Sequence, residues 1–179
     1  MYFETSWDDG HELDLKLAEL LTKYHLPGIF YITIDYVGTM GYLTWDQIRK
    51  LRDQGFEIGA HTVTHPADMK QLEHDYQWFE IQTGRDLLKA ALGSEVLSFC
   101  YPRGRYNQTT KDLVKQAGYV EGRTTQVLQR QFDDRYQKPT TIHWYPRSEY
   151  QGQEITKIAR DQFDQAFKDD AYYHLWGHS

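Results

Sequence analysis

Two hydrophobic periodicities alternate along this chain, and together they predict strands and helices in turn. Seven short runs are apolar and rich in aromatic and β-branched residues, which is typical of buried strands. Between them lie longer stretches in which apolar residues recur every three or four positions, as on one face of a helix. The pattern predicts strands over residues 2–7, 28–33, 56–60, 96–101, 119–124, 140–145 and 171–176.

Capping residues and helix breakers mark the helices. An apolar stripe of leucines over residues 13–21 ends before Pro27. Thr44, followed three residues later by Gln47, has the pattern of a capping box, and Gly55 ends that helix. Further helices are predicted over residues 68–92, 108–117 and 154–167.

The alternation of strand and helix indicates an α/β protein with a parallel sheet. A chain of 179 residues is long enough to close such a sheet into a barrel. The sequence contains no internal repeat, low-complexity tract or linker, so we expect residues 1–179 to form a single domain. In parallel α/β folds the reactive groups gather at the C-terminal ends of the strands.

Composition excludes several classes of partner. A net charge of -6 argues against a nucleic acid or an anionic membrane surface, which both require a basic face. No apolar run is long enough to cross a bilayer, and Cys100 is the only cysteine, which excludes a disulfide framework. Aromatic residues make up 15% of a chain whose mean hydropathy is -0.75, so many rings are expected at the surface. Such rings suit sugars, although tyrosines also simply cover the surface of small domains.

The two ends of the sequence carry little information about location. Met1 is followed by neither a basic segment nor an apolar one, so no secretory signal is present in this chain. This is compatible with a cytoplasmic protein, or with an exported protein whose leader is absent. Because Ser179 directly follows a predicted buried strand, we expect the natural protein to continue beyond it.

Residues whose side chains can bind a metal or transfer a proton follow several of the predicted strands. The first strand is followed by Asp8 and Asp9, the third by His61 and His65, and the last by His178. Taken alone, an Asp-Gly pair can be a plain turn, and two histidines can be polar loop residues. Their placement at strand ends of one sheet favours a shared site instead.

These residue types are the components of a metal-dependent hydrolase. Two neutral imidazoles and one carboxylate make a three-ligand site that leaves a position open for water, which is typical of catalytic metal centres. A second carboxylate can take a proton from that water, and a further imidazole can protonate a leaving group. Adjacent aspartates on an extended strand point to opposite faces, so a bend at Gly10 is required for both to reach the site.

Four segments, in this order, resemble the motifs of the polysaccharide deacetylase family, the NodB-homology domain of carbohydrate esterase family four. Residues 6–10 are similar to its T-F-D-D-G motif, and residues 61–65 match H-[ST]-x-x-H. Residues 99–104 resemble the R-x-P-Y motif, and residues 175–178 resemble L-x-x-H. The resemblance implies a distorted (β/α)7 barrel of parallel strands, an incomplete TIM-like barrel, with residues 1–179 as one deacetylase-like catalytic domain.

The resemblance also implies an activity and a role for each matching residue. The activity is metal-dependent removal of acetyl groups, with N-acetyl favoured over O-acetyl, from an acetylated polysaccharide or oligosaccharide. Such an enzyme is a hydrolase of carbon–nitrogen bonds other than peptide bonds. Asp9, His61 and His65 would bind the metal, usually Zn²⁺, with Co²⁺ or another divalent ion as the alternative. Asp8 would be the general base and His178 the general acid.

The remaining matches would shape the substrate pocket. The backbone N–H of Arg103 would hold the oxyanion, and Tyr101 and Trp176 would wall the space around the acetyl methyl group. The family's third motif often opens with an arginine that pairs with the base, and here Cys100 occupies that position. We expect Arg123, at the end of the fifth predicted strand, to replace it, in preference to Arg103; the alternative is that Arg123 is an ordinary surface arginine. The family's Asp-Trp motif has no clear match, and its nearest counterpart is the pair 143–144, interpreted as pocket wall.

Four other classes of protein fit part of this pattern. Non-haem iron oxygenases share the ligand set, but usually carry H-x-[DE], whereas Asp9 precedes His61 by about fifty positions. Adjacent aspartates cannot flank a glycosidic bond, which disfavours a glycosidase. A metal-free hydrolase of cyclic amides on the same barrel and a non-catalytic carbohydrate-binding domain are the remaining alternatives. Neither of these two classes needs the two aspartates and three histidines together.

Overall fold

A seven-stranded, wholly parallel sheet forms the centre of the protein, in a computed structural model that describes residues 1–179. The sheet is curled into an incomplete barrel, as expected for a distorted (β/α)7 fold. The strands are β1 (Tyr2–Trp7), β2 (Ile29–Ile32), β3 (Glu57–Ala60), β4 (Ser98–Cys100), β5 (Glu121–Arg123), β6 (Ile142–His143) and β7 (Tyr172–Gly177). Their order is β5-β4-β3-β2-β1-β7-β6, so β1 and β7 are neighbours and pair from Tyr2↔Tyr172 to Trp7↔Gly177.

Six α-helices lie between the strands, close to the predicted positions. They are α1 (Asp14–Lys23), α2 (Trp45–Asp53), α3 (His74–Trp78), α4 (Gly84–Leu92), α5 (Gln108–Gln116) and α6 (Ile155–Lys168). The helix predicted over residues 68–92 differs from its expectation. It begins with a 3₁₀ turn, Met69–Gln71, and a π-helical turn, Phe79–Thr83, joins α3 to α4. No helix in the protein combines the length and the apolar character needed to cross a membrane.

The predicted capping box of α2 is confirmed. The Gln47 backbone N–H donates to the Thr44 hydroxyl oxygen (3.4 Å), and the Thr44 N–H donates to Gln47 Oε1 (2.7 Å). The chain leaves this helix at Gly55, whose φ of +94° lies in the region that glycine adopts at little cost. Both signals were visible in the sequence because they are local.

The two faces of the sheet differ in polarity. The outer face packs against the helices, and β4 shows the alternation: Phe99 is part of the main hydrophobic core, whereas its neighbours Ser98 and Cys100 point inward. Inside the barrel, Lys138 donates to Glu4 Oε1 (3.0 Å) and to both carboxylate oxygens of Glu121 (2.9 Å). The barrel interior is therefore polar, and its charges are paired.

A second chain of hydrogen bonds continues inside the barrel above Glu4. Tyr172 donates to Glu4 Oε2 (2.8 Å) and contacts His174 Nδ1 (2.5 Å), while Ser6 Oγ contacts His174 Nε2 (2.7 Å). His174 is fully buried, and burial holds its pKa well below the usual value, so its ring is neutral. His174 therefore belongs to the barrel interior and lies apart from His178.

Candidate metal and catalytic site

The chain bends sharply after β1, and this bend presents two neighbouring carboxylates to one site. Asp9 and Gly10 have φ values of +76° and +74°, which end the extended conformation that would have separated Asp8 from Asp9. A Cβ at Gly10 would lie 3.0 Å from Ile32 Cδ1, so this position is also tightly packed. The bend that the sequence required at Gly10 is present and begins one residue earlier.

The loop after β3 carries His61 and His65 in a tight, partly strained conformation. Thr62 and His65 have φ values of +71° and +55°, which non-glycine residues seldom adopt. The Thr62 hydroxyl oxygen accepts the His65 backbone N–H (3.1 Å), which closes the turn. As a result the two imidazole rings lie 4.8 Å apart, centroid to centroid, at 68° to one another.

Glu80 supports this histidine loop from the π-helical turn. Its Oε2 accepts the backbone N–H groups of Val63 and Thr64 (both 2.9 Å), and its Oε1 accepts the Thr64 hydroxyl (2.6 Å). Glu80 is buried, and the contact fixes the loop between the two histidines. Glu80 was not predicted as a site residue, because nothing in a helical pattern distinguishes a glutamate whose side chain contacts a distant loop.

Asp9, His61 and His65 converge on one point. Asp9 Oδ1 lies 3.6 Å from His61 Nε2 and 3.7 Å from His65 Nε2. Ligands at 2.0–2.1 Å from one tetrahedral ion are separated by about 3.3 Å, so a small closure would bring these three atoms to an ion. Asp9 Oδ1 is buried and has no hydrogen-bond partner within the protein. The three side chains predicted as ligands are thus brought together, and they can hold a divalent metal.

The protonation of His61 also suits a metal ligand. Its Nδ1 lies 2.8 Å from the Cys100 carbonyl oxygen, which can only accept, so Nδ1 carries the proton and Nε2 is left with its lone pair. Burial lowers the pKa of His61 to about 4, so the ring is neutral near pH 7. An imidazole in this tautomer presents Nε2 directly to the point that Asp9 Oδ1 faces.

Asp8 forms a buried ion pair with Arg123. Arg123 Nη2 donates to Asp8 Oδ1, and both side chains are almost completely inaccessible to solvent. Burial raises the pKa of Asp8, but the positive charge and the hydrogen bond of Arg123 outweigh it and hold the pKa below its usual value. Arg123 lies directly opposite Cys100 in the pairing of β4 and β5. The guanidinium therefore enters from the strand next to the one on which the family's motif places its arginine.

His178 and Trp176 approach the same site from the end of β7. His178 Nε2 lies 3.7 Å from Asp9 Oδ2, and the side chain is half exposed, on the open side of the site. Trp176 is buried and stacks on His143, with ring centroids 3.9 Å apart, and the Arg123 guanidinium lies 4.5 Å from the Trp176 ring centroid. Burial lowers the pKa of His143 to about 4, so this ring is neutral beside His178.

The two residues predicted from the third motif lie in different places. Arg103 is exposed and has a φ of +55°, in a turn closed by the Gly104 N–H donating to the Tyr101 carbonyl (2.9 Å). Tyr101 lies on the opposite face from Cys100, in the outer core, where its hydroxyl donates to the Tyr136 carbonyl (2.9 Å). The structure therefore does not bring the Tyr101 side chain together with the other site residues.

Two residues near the site were not identified from the sequence. Tyr36 follows β2, and its ring centroid lies 6.2 Å from that of His65; burial, followed by the charge of Asp9, raises the pKa of its hydroxyl. Its position after a predicted strand was a signal that could have found it. Asp14, the first residue of α1, is fully buried, and neither of its carboxylate oxygens has a hydrogen-bond partner. A buried aspartate at the start of a helix looks like an ordinary helix start in sequence.

The fold and the donor set define a class of protein, and comparisons with known sequences and structures identify the same class. Residues 3–122 match the family model described as polysaccharide deacetylase, which is more than half of the chain. The chain belongs to the polysaccharide deacetylase family.

Individual relatives agree with this assignment. The polysaccharide deacetylase-like protein YxkH of Bacillus subtilis (strain 168) is 26% identical over 122 residues, which cover 68% of this chain and 43% of that protein. The structure of the Streptococcus pyogenes deacetylase PplD in complex with acetate matches with a TM-score of 0.65 at 28% identity, over 68% of this chain and 54% of that one. The chain thus spans about half the length of these relatives.

A third comparison concerns the fold alone. The Xyl-CE4 domain of a multidomain xylanase from the hindgut metagenome of Trinervitermes trinervoides matches with a TM-score of 0.63 at 17% identity. This match covers 98% of the present chain and 86% of that domain, so it extends over nearly the whole of the chain. The curled parallel sheet is therefore shared from the first strand to the last.

Proposed function

We propose that this chain is a metal-dependent deacetylase that removes acetyl groups, N-acetyl in preference to O-acetyl, from a polysaccharide or an oligosaccharide. The observation that carries the proposal is the convergence of Asp9 Oδ1 with His61 Nε2 and His65 Nε2 at 3.6 and 3.7 Å, around an oxygen that has no other partner. Membership of the deacetylase family supports the reaction class.

Asp9, His61 and His65 would hold the divalent ion, usually Zn²⁺, with Co²⁺ or another divalent ion as the alternative. The donor set fits such an ion because one carboxylate and two neutral imidazoles leave a coordination position open. When bound, the ion supplies Lewis acidity, which lowers the pKa of a coordinated water and polarises a carbonyl group. The Cys100 carbonyl fixes the tautomer of His61, and Glu80 fixes the loop that carries both imidazoles.

Asp8 is the general base in this proposal. Its Oδ1 is held by Arg123, so the carboxylate is ionised, oriented and able to accept a proton from the attacking water through its other oxygen. Arg123 would thereby take over the base-tuning role of the arginine that is absent at Cys100. Because Arg123 contacts Asp8 and would not touch the substrate, it acts as a positioning residue.

His178 is the general acid on the other side of the site. Its half-exposed ring lies 3.7 Å from Asp9 Oδ2, where it can deliver a proton to the departing amine or alcohol. The backbone N–H of Arg103 would stabilise the developing oxyanion, and Trp176 would form the wall beside the acetyl group. Sugar rings of the substrate would lie on the exposed aromatic residues near the rim, such as Trp144 and Tyr145.

The alternatives account for fewer of these contacts. A metal-free hydrolase of cyclic amides would not need Asp9 Oδ1 to face two imidazole nitrogens. A non-catalytic carbohydrate-binding domain would not need a buried Arg123–Asp8 pair behind a half-exposed histidine. Both alternatives predict that a chelator leaves the protein's action on acetylated glycans unchanged.

The test is acetate release from a panel of acetylated glycans, with and without a chelator. We expect release that is lost on chelation and restored by Zn²⁺ or Co²⁺. Release that survives exhaustive chelation would contradict metal dependence, and no release from any glycan would contradict the deacetylase itself.

Asparagine substitutions separate the roles of the two aspartates. Asp8→Asn should lower kcat at least about 10²-fold by removing the general base, while the protein still binds one metal ion. Asp9→Asn should weaken metal binding itself, as measured by calorimetry on the apoprotein. Asp75→Asn, the same chemical change at a fully exposed carboxylate, is the matched control. Loss of the metal in Asp8→Asn with retention in Asp9→Asn would reverse the two assignments.

A further inference from the structure

A second group of metal-binding atoms lies beside the first and shares one atom with it. Cys100 Sγ lies 3.8 Å from Asp8 Oδ2 and 4.0 Å from His61 Nε2. These three donor atoms all lie within 4.8 Å of one another, and all three residues are buried. The proposed deacetylation gives the thiol no role, and the family's motif places an arginine at this position.

The spacing suits a thiophilic ion. An ion at ~2.3 Å from sulfur and ~2.1 Å from nitrogen and oxygen requires sulfur-to-ligand separations of about 3.6 Å in tetrahedral geometry. The observed 3.8 and 4.0 Å exceed this by a few tenths of an ångström, a gap that an ion larger than Zn²⁺, such as Cd²⁺, closes more easily. Thiolate is a soft ligand and selects soft ions over those that favour nitrogen and oxygen alone.

Charge and hydrogen bonding at the group are compatible with binding. Arg123 contacts Oδ1 of Asp8, whereas Oδ2 lies on the side of Cys100 and accepts a hydrogen bond from the Cys100 thiol (3.8 Å). An ion that binds here displaces the thiol proton to solvent, so that a thiolate, a carboxylate and a neutral imidazole surround it. The arginine charge remains paired with Asp8 throughout.

We propose that Asp8, His61 and Cys100 form a second metal position that takes a thiophilic divalent ion in competition with the Asp9, His61 and His65 position. The two positions exclude one another, because each uses His61 Nε2. His65 belongs to the first position only and Cys100 to the second only. An ion in the second position occupies Asp8 Oδ2, so it inhibits the deacetylase; this last consequence rests on the proposed function.

Cd²⁺ titration of the metal-free wild-type protein tests the site without any assay of activity. Thiolate-to-cadmium charge transfer absorbs in the ultraviolet, and Cys100 is the only cysteine, so any such band reports Cys100 alone. We expect a band that saturates at one Cd²⁺ per chain. Absence of the band at saturating Cd²⁺ would overturn the proposal.

Two variants distinguish a separate position from an extra ligand of the first one. Cys100→Ser keeps the size of the side chain and removes the soft donor, so it should lose the band. His65→Ala removes a ligand of the first position only and should keep the band. If His65→Ala is folded by circular dichroism but has lost the band, the thiolate binds at the first position and the proposal is wrong. His65→Asn replaces this variant if the alanine form does not fold.

Inhibition provides the functional arm. Loss of an outer-shell partner already weakens metal binding about 10- to 100-fold, so loss of the thiolate should raise the Cd²⁺ concentration for half-inhibition at least about 10-fold in Cys100→Ser. Equal Cd²⁺ sensitivity of Cys100→Ser and wild type would overturn the inhibitory role. If the wild type releases no acetate at all, the proposed function fails, while the charge-transfer band still decides whether the second position exists.

Discussion

At the scale of single residues, the Arg123–Asp8 ion pair affects both the stability of the fold and the ionisation of the proposed general base. Two opposite charges are removed from water, and each is tolerated only because the other is present. The same contact leaves Asp8 ionised and oriented. A buried pair of this kind gives little net stability, but removal of one partner isolates the other.

Replacement of Arg123 should therefore destabilise the protein strongly. Arg123→Met leaves Asp8 buried without its partner, and we expect the free energy of unfolding to fall by about 3–5 kcal/mol in urea titrations. Arg103→Met, at an exposed arginine, is the matched control and should change it by less than about 0.5 kcal/mol.

Combining the substitutions tests the physical reason. Adding Asp8→Asn to Arg123→Met removes the isolated charge, so the double variant should recover a large part of the lost stability. Additive losses in the double variant would show that Arg123 stabilises the fold through packing on Trp176 and not through Asp8.

At the scale of single residues, the sequence indicated which side chains lie close together where a motif and a strand end coincided. Asp8, Asp9, His61, His65 and His178 were predicted to meet, and the structure brings them together because parallel strands end at one edge. Tyr101 was placed differently, because the prediction followed the motif and not the strand alternation that turns Cys100 inward. The catalytic and metal-binding roles of the five residues that lie together stay predictions.

At the scale of secondary structure, the π-helical turn between α3 and α4 places Glu80 against the loop that carries the two histidines. π-helical turns are rare and occur frequently at functional sites. Here the turn contains Glu80, whose carboxylate accepts two backbone N–H groups and one hydroxyl of the histidine loop. The strained φ values of Thr62 and His65 persist because this contact holds the loop.

Loss of the Glu80 carboxylate should make the proposed metal ligands more mobile without altering the ligands themselves. Glu80→Ala leaves the N–H groups of Val63 and Thr64 without their acceptor, so we expect a loss of about 2–4 kcal/mol in stability. Zn²⁺ affinity, measured by calorimetry, should fall about 10- to 100-fold because the histidines are no longer positioned.

A control and a graded variant make this test specific. Glu73→Ala alters a glutamate whose exposed side chain makes no capping bond and should affect neither quantity. Glu80→Gln keeps one carbonyl acceptor and should fall between alanine and wild type. Unchanged metal affinity in Glu80→Ala would show that the loop holds its shape without this contact.

Sequence patterns located the helices and strands well but missed their irregularities. The strand predicted over 96–101 shortens to Ser98–Cys100, because pairing with β3 and β5, and not apolar character, defines its length. The prediction of one continuous helix over 68–92 was wrong in detail. The π-helical turn Phe79–Thr83 accompanies a contact between Glu80 and a distant loop, and the local sequence contains no signal for such a contact.

At the scale of the whole molecule, the stability of the fold should depend on pH through Asp14. Burial raises the pKa of Asp14 to about 8; the nearby Ser179 hydroxyl opposes this shift, and the negative charges of Asp8 and Asp9 add to it. The unfolded chain has the usual value of about 3.9, so the folded protein binds one more proton between these two pH values. Stability from this group is therefore full below about pH 4 and is lost as the pH rises to about 8.

Asp14→Asn should remove this pH dependence. The variant should become more stable than the wild type as the pH rises from about 4 to about 8, by at most about 5 kcal/mol, in thermal or urea unfolding of the chelated protein. Asp75→Asn should follow the wild type at every pH. A constant difference between Asp14→Asn and the wild type across this range would mean that Asp14 stays ionised in the fold.

β1 lies between β2 and β7 in the sheet, so the site combines residues from the beginning of the chain with a residue from its end. All three proposed metal ligands lie between residues 9 and 65, directly after β1 and β3, which are separated only by β2 both in sequence and in the sheet. His178 arrives only with β7, after a separation of more than a hundred residues, and such distant pairings are slow to form. During synthesis on the ribosome, the three proposed ligands are therefore all made before the proposed acid. At that stage β1 still lacks its pairing with β7.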